Sequence, residues 1–138
     1  MVQCMLVSQH TTVKKDLAMG LKNQHDVLTT LQSKFSSSIV ETKDKYCKYD
    51  FIDSLGNHYE VKSRRTSKKA YLTTLLPAHK ILQTNVKQYY LFKFIDSLCY
   101  IEYDKAKFDV FQTGWVTDGR TGKDDLHYYI PVSELVDV

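Results

Sequence analysis

Apolar positions along the chain change period several times, and each change marks a different element. Over 11–35 the residues Leu17, Leu21, Leu28, Leu31 and Phe35 recur at helical spacing, with Val13 and Val27 beside them, which predicts a long amphipathic helix. Ser36, Ser37 and Ser38 end it, and Ile39 with Val40 begins a short strand. Over 46–53 (YCKYDFID) and 58–65 (HYEVKSRR) aromatic and β-branched residues alternate with polar ones, and 54–57 (SLGN) is turn chemistry, so this stretch reads as a β-hairpin. Residues 69–85 read as a second helix, kinked or divided at Pro77. Strands follow at 89–94 and 98–103, joined around Asp96 and Ser97. Gly114, Gly119 and Gly122 then mark a loop-rich segment with a strand at 128–131 and a helical turn at 133–136. The order helix, hairpin, helix, strands predicts a mixed α/β domain whose central sheet is flanked by helices.

A chain of 138 residues is most simply one domain over 1–138, with the regular elements forming a core over about 12–104 and a C-terminal extension over 105–138. Hydrophobic residues at 43% and charged residues at 25% are ordinary for a globular protein and argue against disorder. No apolar run approaches the roughly 20 residues of a spanning helix, and the N-terminus lacks the order of a signal peptide. An intracellular protein, cytoplasmic or nuclear, with no membrane partner is expected. Cys4, Cys47 and Cys99 are odd in number and never spaced C-x-x-C, which argues against a disulfide framework or a structural zinc site.

Charge is unevenly placed. Residues 60–93 hold eight Lys/Arg against one acid, whereas 94–138 hold four against nine. A phosphate backbone partner requires such a concentrated basic segment; a solvated face balanced by the acidic tail is the simpler account. Phosphate loops, H-E-x-x-H and G-x-S-x-G are absent. What remains is the hairpin, where Glu60-Val61-Lys62 follows a strand carrying Asp50 and Asp53. A second acid-x-Lys triplet, Glu41-Thr42-Lys43, has no upstream acidic strand. Alternation puts His58, Glu60 and Lys62 on one face and Tyr59 and Val61 on the other. Two carboxylates on neighbouring strands suit a hard cation such as Mg²⁺, and a lysine two residues on can stabilise charge developing at phosphorus. A loop over 55–57 sets Asp50 opposite Lys62 and on the Glu60 side; a two-residue turn at Gly56-Asn57 instead sets Asp53 opposite Glu60. Asp50, followed by apolar Phe51, is the favoured partner, with Asp53 nearer the turn and solvent.

Asp50, nine intervening residues and then Glu60-Val61-Lys62 resembles the signature of the PD-(D/E)XK nuclease superfamily, which includes type II restriction endonucleases, archaeal Holliday-junction resolvases and λ exonuclease. The element order agrees with its αβββαβ core over about 12–104, nearest the small resolvase-like members. The resemblance implies a restriction endonuclease-like α/β fold and hydrolysis of DNA phosphodiester bonds with Mg²⁺ or Mn²⁺. It implies Asp50, Glu60 and the Val61 carbonyl as metal ligands and Lys62 as the catalytic lysine. DNA is the expected partner, and small members often pair as homodimers to cut both strands. Tyr49 stands where the motif has proline. Gly20, Val27 and Leu31 keep the resolvase-like G-x-x-x-E-x-x-V-x-x-x-L spacing, but Gln24 occupies the acidic position. Gln24 offers at most an auxiliary amide oxygen without charge, so either the site works with two carboxylates or Asp16 or Asp26 replaces the missing acid. Lys80 and Gln83 fall where relatives have phosphate or metal-water contacts, and Arg64, Arg65, Lys68 and Lys69 are candidate phosphate clamps. Tyr71, Tyr89 and Tyr90 are assigned to the core or a sheet face. The rival expectation is a catalytically inactive nucleic-acid-binding or protein-interaction domain on the same fold, with Gln24 as the sign of lost activity.

Overall fold

The computed structural model describes residues 24–44 and 46–138. They form helix α1 (Gln24–Lys34), strands β1 (Val40–Glu41), β2 (Phe51–Ile52), β3 (His58–Ser63), β4 (Thr73–Pro77), β5 (Gln88–Lys93) and β6 (Leu98–Glu102), helix α2 (Lys105–Asp109), and strands β7 (Gln112–Thr117), β8 (Asp124–Pro131) and β9 (Val136–Asp137). The part of the first expected helix before Gln24 lies outside the described residues. One sheet has the order β1-β2-β3-β5-β6-β9 and the other β4-β8-β7. β3 and β5 pair in parallel, and the other pairings are antiparallel, which makes the central sheet mixed as expected.

Strand alternation divides the core in two. From α1, Val27 and Leu31 pack on Phe51, Tyr59, Leu91 and Leu98 on one face of the large sheet. On the other face Tyr90, Phe92, Phe94 and Ile101 meet Leu76 of β4, Ile130 of β8 and Phe108 of α2. Helix α2 is started by Asp104, whose side chain accepts from the Ala106 and Lys107 N–H groups. The layers are thus helix, mixed sheet and a second sheet, rather than a sheet with helices on both faces.

Residues 69–85 are the main departure. They carry β4 between two 3-10 turns, Lys68–Ala70 and Ala78–Lys80, instead of a helix. Leu72, Leu75 and Leu76 mimic helical spacing, but Thr73 and Thr74 are β-branched and Pro77 restricts the residue before it to extended conformations. Within the strand burial follows a period of two: Thr74 and Leu76 are buried, while Thr73 is exposed and Leu75 and Pro77 are half-buried. Pairing with β8, Thr74 against Ile130 and Leu76 against Tyr128, completes the strand. The crossover from β3 to its parallel neighbour β5 therefore contributes a strand to the second sheet where such connections usually supply a helix.

The C-terminal extension is also better ordered than its glycines suggest. β7 and β8 form a hairpin closed by the Asp118 N–H donating to the Lys123 carbonyl, and Asp118 accepts from the Arg120 and Thr121 N–H groups. The acidic start of β8 and the glycine within β7 hide both strands from propensity. Residues 133–136 hold the end of a 3-10 turn and the start of β9 rather than a turn of α-helix.

Candidate active site

The β2–β3 turn sets the site's geometry. Gly56 takes φ +84°, the left-handed conformation that a three-residue hairpin loop needs at its last position. The loop is 54–56, and the strands register as Ile52 with His58 and Phe51 with Tyr59. Continuing this register sets Asp50 opposite Glu60, two residues from the expected pairing with Lys62. A slip of two preserves the face, so Asp50 still lies on the Glu60 side. Phe51, Tyr59 and Val61 pack on the α1 side, as alternation requires.

Asp50 is where the β2–β3 ladder ends. Its N–H donates to the Tyr59 carbonyl, but the Val61 N–H is taken by the Asp50 side chain, 2.8 Å from Oδ2. His58 and Arg64 direct their N–H groups to the Lys87 and Lys93 carbonyls of the β5 side. In a parallel ladder this parity turns Val61 the other way, so its carbonyl faces the edge that Asp50 occupies. Burial pushes the Asp50 carboxyl above its usual range; the Val61 hydrogen bond and the charges of Lys80 and Lys62 pull it down, while Glu60 adds repulsion.

Glu60 is 6% exposed, and its Oε2 lies 3.1 Å from both Lys62 Nζ and Lys80 Nζ. Two ammonium groups at hydrogen-bond distance hold this buried carboxylate in place. Lys80 is positioned by residues that sequence patterns did not single out. The Tyr90 hydroxyl lies 2.8 Å from the Lys80 carbonyl oxygen and 3.0 Å from Gln88 Oε1, and the Gln88 amide both accepts from and donates to the Leu82 backbone. Tyr90 lies beside Glu60 only because β3 and β5 pair in parallel, Glu60 with Tyr90. The lone signal in the sequence was Lys80 itself, which was assigned to a helix.

Asp53 departs from expectation. It is 8% exposed rather than open to solvent, and accepts from the Leu55 and Asn57 N–H groups, the Asn57 side-chain amide and the Tyr59 hydroxyl. Burial opposes its charge, but these four donors together hold its carboxyl below the ordinary range. It organises the turn and is fully engaged there. His58, on the Glu60 face as alternation requires, is half-buried and stacked on Tyr49 with ring centroids 3.7 Å apart. Its buried Nδ1 has no hydrogen-bond partner among the described residues, and burial lowers its pKa.

The remaining expected residues scatter. Gln24 is exposed at the first position of α1, a helix that packs on the face opposite Glu60; Asp26 lies in the same turn and Asp16 outside the described residues. Gln83 is exposed in the loop after the Ala78–Lys80 turn. Lys69 and Arg65 are exposed. The Lys68 ammonium lies 3.4 Å from the Asp137 carboxylate. Arg64 is not an open clamp: Nε donates to Thr74 Oγ1 at 3.0 Å, one terminal nitrogen donates to the Leu75 carbonyl, and the guanidinium lies 5.3 Å from the Phe92 ring centre. It ties β3 to β4. Lys62, Arg64, Arg65 and Lys68 line, with residues of β4 and β8, a cavity of about 640 Å³, and Lys62 joins that cavity to Glu60.

Asp50, Glu60 and the Val61 carbonyl are hard oxygen donors of the kind Mg²⁺ and Mn²⁺ take, with water and substrate phosphate completing the octahedron. The donor set fits such an ion, although a cation at Glu60 competes with two ammonium groups already there. Among the described residues no group of three or more His, Cys, Asp or Glu converges on one point, and no helix is long and apolar enough to cross a membrane. No protein-family model, curated protein or solved structure matches the chain.

Proposed function

We propose that the chain is a metal-dependent nuclease that hydrolyses DNA phosphodiester bonds on a restriction endonuclease-like plan. The observation that carries the reading is the pair Asp50 and Glu60 on one sheet face, with Lys62 linking Glu60 to a cavity lined by cationic side chains. Asp50, Glu60 and the Val61 carbonyl would hold Mg²⁺ or Mn²⁺, which when bound supplies Lewis acidity toward the phosphate. Lys62 offers its ammonium group to the charge that builds on the phosphoryl oxygens during in-line attack. Lys80, anchored through its carbonyl by Tyr90, keeps Glu60 aimed. Arg65, Lys68 and Lys69 are assigned to the strand's phosphates, and two copies of the chain would serve to cut both strands of a duplex.

A second reading draws on the same contacts. Lys62 and Lys80 both pair with Glu60 without any metal, and Gln24 is remote from them, which suits an inactive nucleic-acid-binding or protein-interaction domain. Incubation of duplex, branched and single-stranded DNA with Mn²⁺, beside EDTA controls and Glu60→Gln, separates the two. The nuclease reading expects Mn²⁺-dependent cleavage and calorimetric Mn²⁺ binding, both lost in Glu60→Gln while the circular dichroism spectrum is kept. Equal Mn²⁺ affinity in both proteins removes Glu60 from the site, and absence of cleavage on every substrate favours the second reading.

A further inference from the structure

The cavity lined by Arg64, β4 and β8 has features that the carboxylate site does not explain. At about 640 Å³ it is the size of a small-molecule site, and among the described residues no Asp or Glu lines it. Arg64 in its wall is half-buried, and its hydrogen bonds go to the neutral oxygens of Thr74, Leu75 and Ser63. Among the described residues no carboxylate pairs with this guanidinium, and an uncompensated charge removed from water is costly unless an anion offsets it. Contacts with Phe92 and β4 fix its orientation in advance, so an arriving anion orders little.

Two aromatic rings share the same space. Tyr71 is 67% exposed at the cavity's edge, contrary to its expected place in the core. Tyr129 of β8 leans over Gly114, where a Cβ would come within 3.0 Å of the ring, so the glycine makes room for it. A simple inorganic anion has no use for rings; a base does. Bases within a duplex are already stacked and cannot enter a cavity of this size, whereas an unpaired base can.

We infer that this cavity seats one unpaired nucleotide of a DNA strand, with its phosphate beside Arg64 and its base against Tyr71 and Tyr129. The inference rests on the nuclease reading in one respect: Lys62 is common to both sites, which puts the seated nucleotide next to the bond to be cut. The substrate class follows as DNA with an unpaired segment at the cleavage position, such as a flap, gap or frayed end.

Fluorescence anisotropy in EDTA, with a labelled single-stranded oligonucleotide and a blunt duplex of equal length, tests the cavity without chemistry. The single strand should bind more tightly than the duplex. Tyr71→Ala should weaken single-strand binding by about 5- to 150-fold, the range for loss of one stacked base, and leave duplex binding unchanged. Tyr71 is exposed, so the variant should fold; Arg64→Gln, which also cuts a tie between sheets, is a second variant to be compared only at equal thermal stability. A wild type that prefers the duplex, or a Tyr71→Ala loss that is absent or equal for both ligands, overturns the inference. Displacement of the strand by an equal nucleotide concentration of thymidine monophosphate would overturn it in favour of a free-nucleotide site. Cleavage with Mn²⁺ is measured separately: selective binding without cleavage sinks only the nuclease reading, and cleavage without Tyr71 dependence sinks only the cavity assignment.

Discussion

Exchanging each hairpin aspartate for asparagine should have opposite consequences at the two positions. Asp53 accepts four hydrogen bonds at 2.9 to 3.1 Å, two at each oxygen. Asparagine retains one acceptor oxygen and turns an NH₂ group toward the Asn57 side-chain amide and the Tyr59 hydroxyl. Tyr59 can rotate its proton, but Asn57 cannot flip freely because its Oδ1 accepts from the Lys87 N–H at 3.0 Å. The loss of one hydrogen bond to a charged acceptor, plus a donor set against a donor, costs about 2–4 kcal/mol. For a domain of this size that lowers Tm by on the order of 10 °C. Among the described residues the side chain of Asp50 accepts one hydrogen bond, from Val61, and an asparagine oxygen can accept it. Because burial penalises the Asp50 charge, removing that charge leaves stability unchanged or raised at neutral pH. Scanning calorimetry beside a Mn²⁺-dependent cleavage assay, run well below both Tm values, reads the two effects. Asp50→Asn should keep its Tm and lose at least about 100-fold in rate; Asp53→Asn should lose Tm and stay within about threefold of wild-type rate, too small a change in barrier to signify a catalytic group. Cleavage that survives Asp50→Asn, or is abolished in a folded Asp53→Asn protein, would refute the assignment of the two carboxylates.

The same pair governs acid stability. Asp53, held below its ordinary range, contributes stability that is present above the unfolded value of about 3.9 and is lost as pH falls through the folded value; Asp50, held above it, regains stability as pH falls from neutrality toward that value. Thermal melts between pH 7 and 3 should therefore show a shallower acid loss in Asp53→Asn and no mildly acidic gain in Asp50→Asn. Lys62→Ala should abolish cleavage while leaving DNA affinity within a few-fold, measured by single-turnover kinetics and anisotropy; an unchanged cleavage rate would remove Lys62 from the chemistry. Arg64 and Arg65 should separate although adjacent. Arg65→Ala should flatten the salt dependence of duplex binding by about one phosphate contact, roughly 0.9 in log–log slope, at unchanged Tm, whereas Arg64→Ala should lower Tm by breaking the tie to Thr74 and Leu75.

Local periodicity was sufficient for much of the site. Alternation in HYEVKS alone separates Glu60 and Lys62 from Tyr59 and Val61, and the SLGN turn carries the glycine that its conformation demands. The three-residue turn was placed one residue too late, yet the two-residue slip in register that results leaves every side chain on its face, so the choice of Asp50 over Asp53 for the Glu60 side survived. The strands at 89–94 and 98–103 were legible because their aromatic and β-branched residues flank a short polar turn. Sequence patterns could not reveal what lies across from these residues. Helical and strand readings compete over 69–85, and the contest is decided by the open edge of β8 rather than by the segment itself. The parallel pairing of β3 with β5 spans a long crossover, and it alone brings Tyr90, Gln88 and Lys80 to Glu60. Asp53 illustrates the same limit at short range: its position beside a turn suggests solvent, but four donors converge on it once the hairpin is closed. A residue's face is written in its neighbours, whereas its charge environment depends on segments that arrive from elsewhere in the chain.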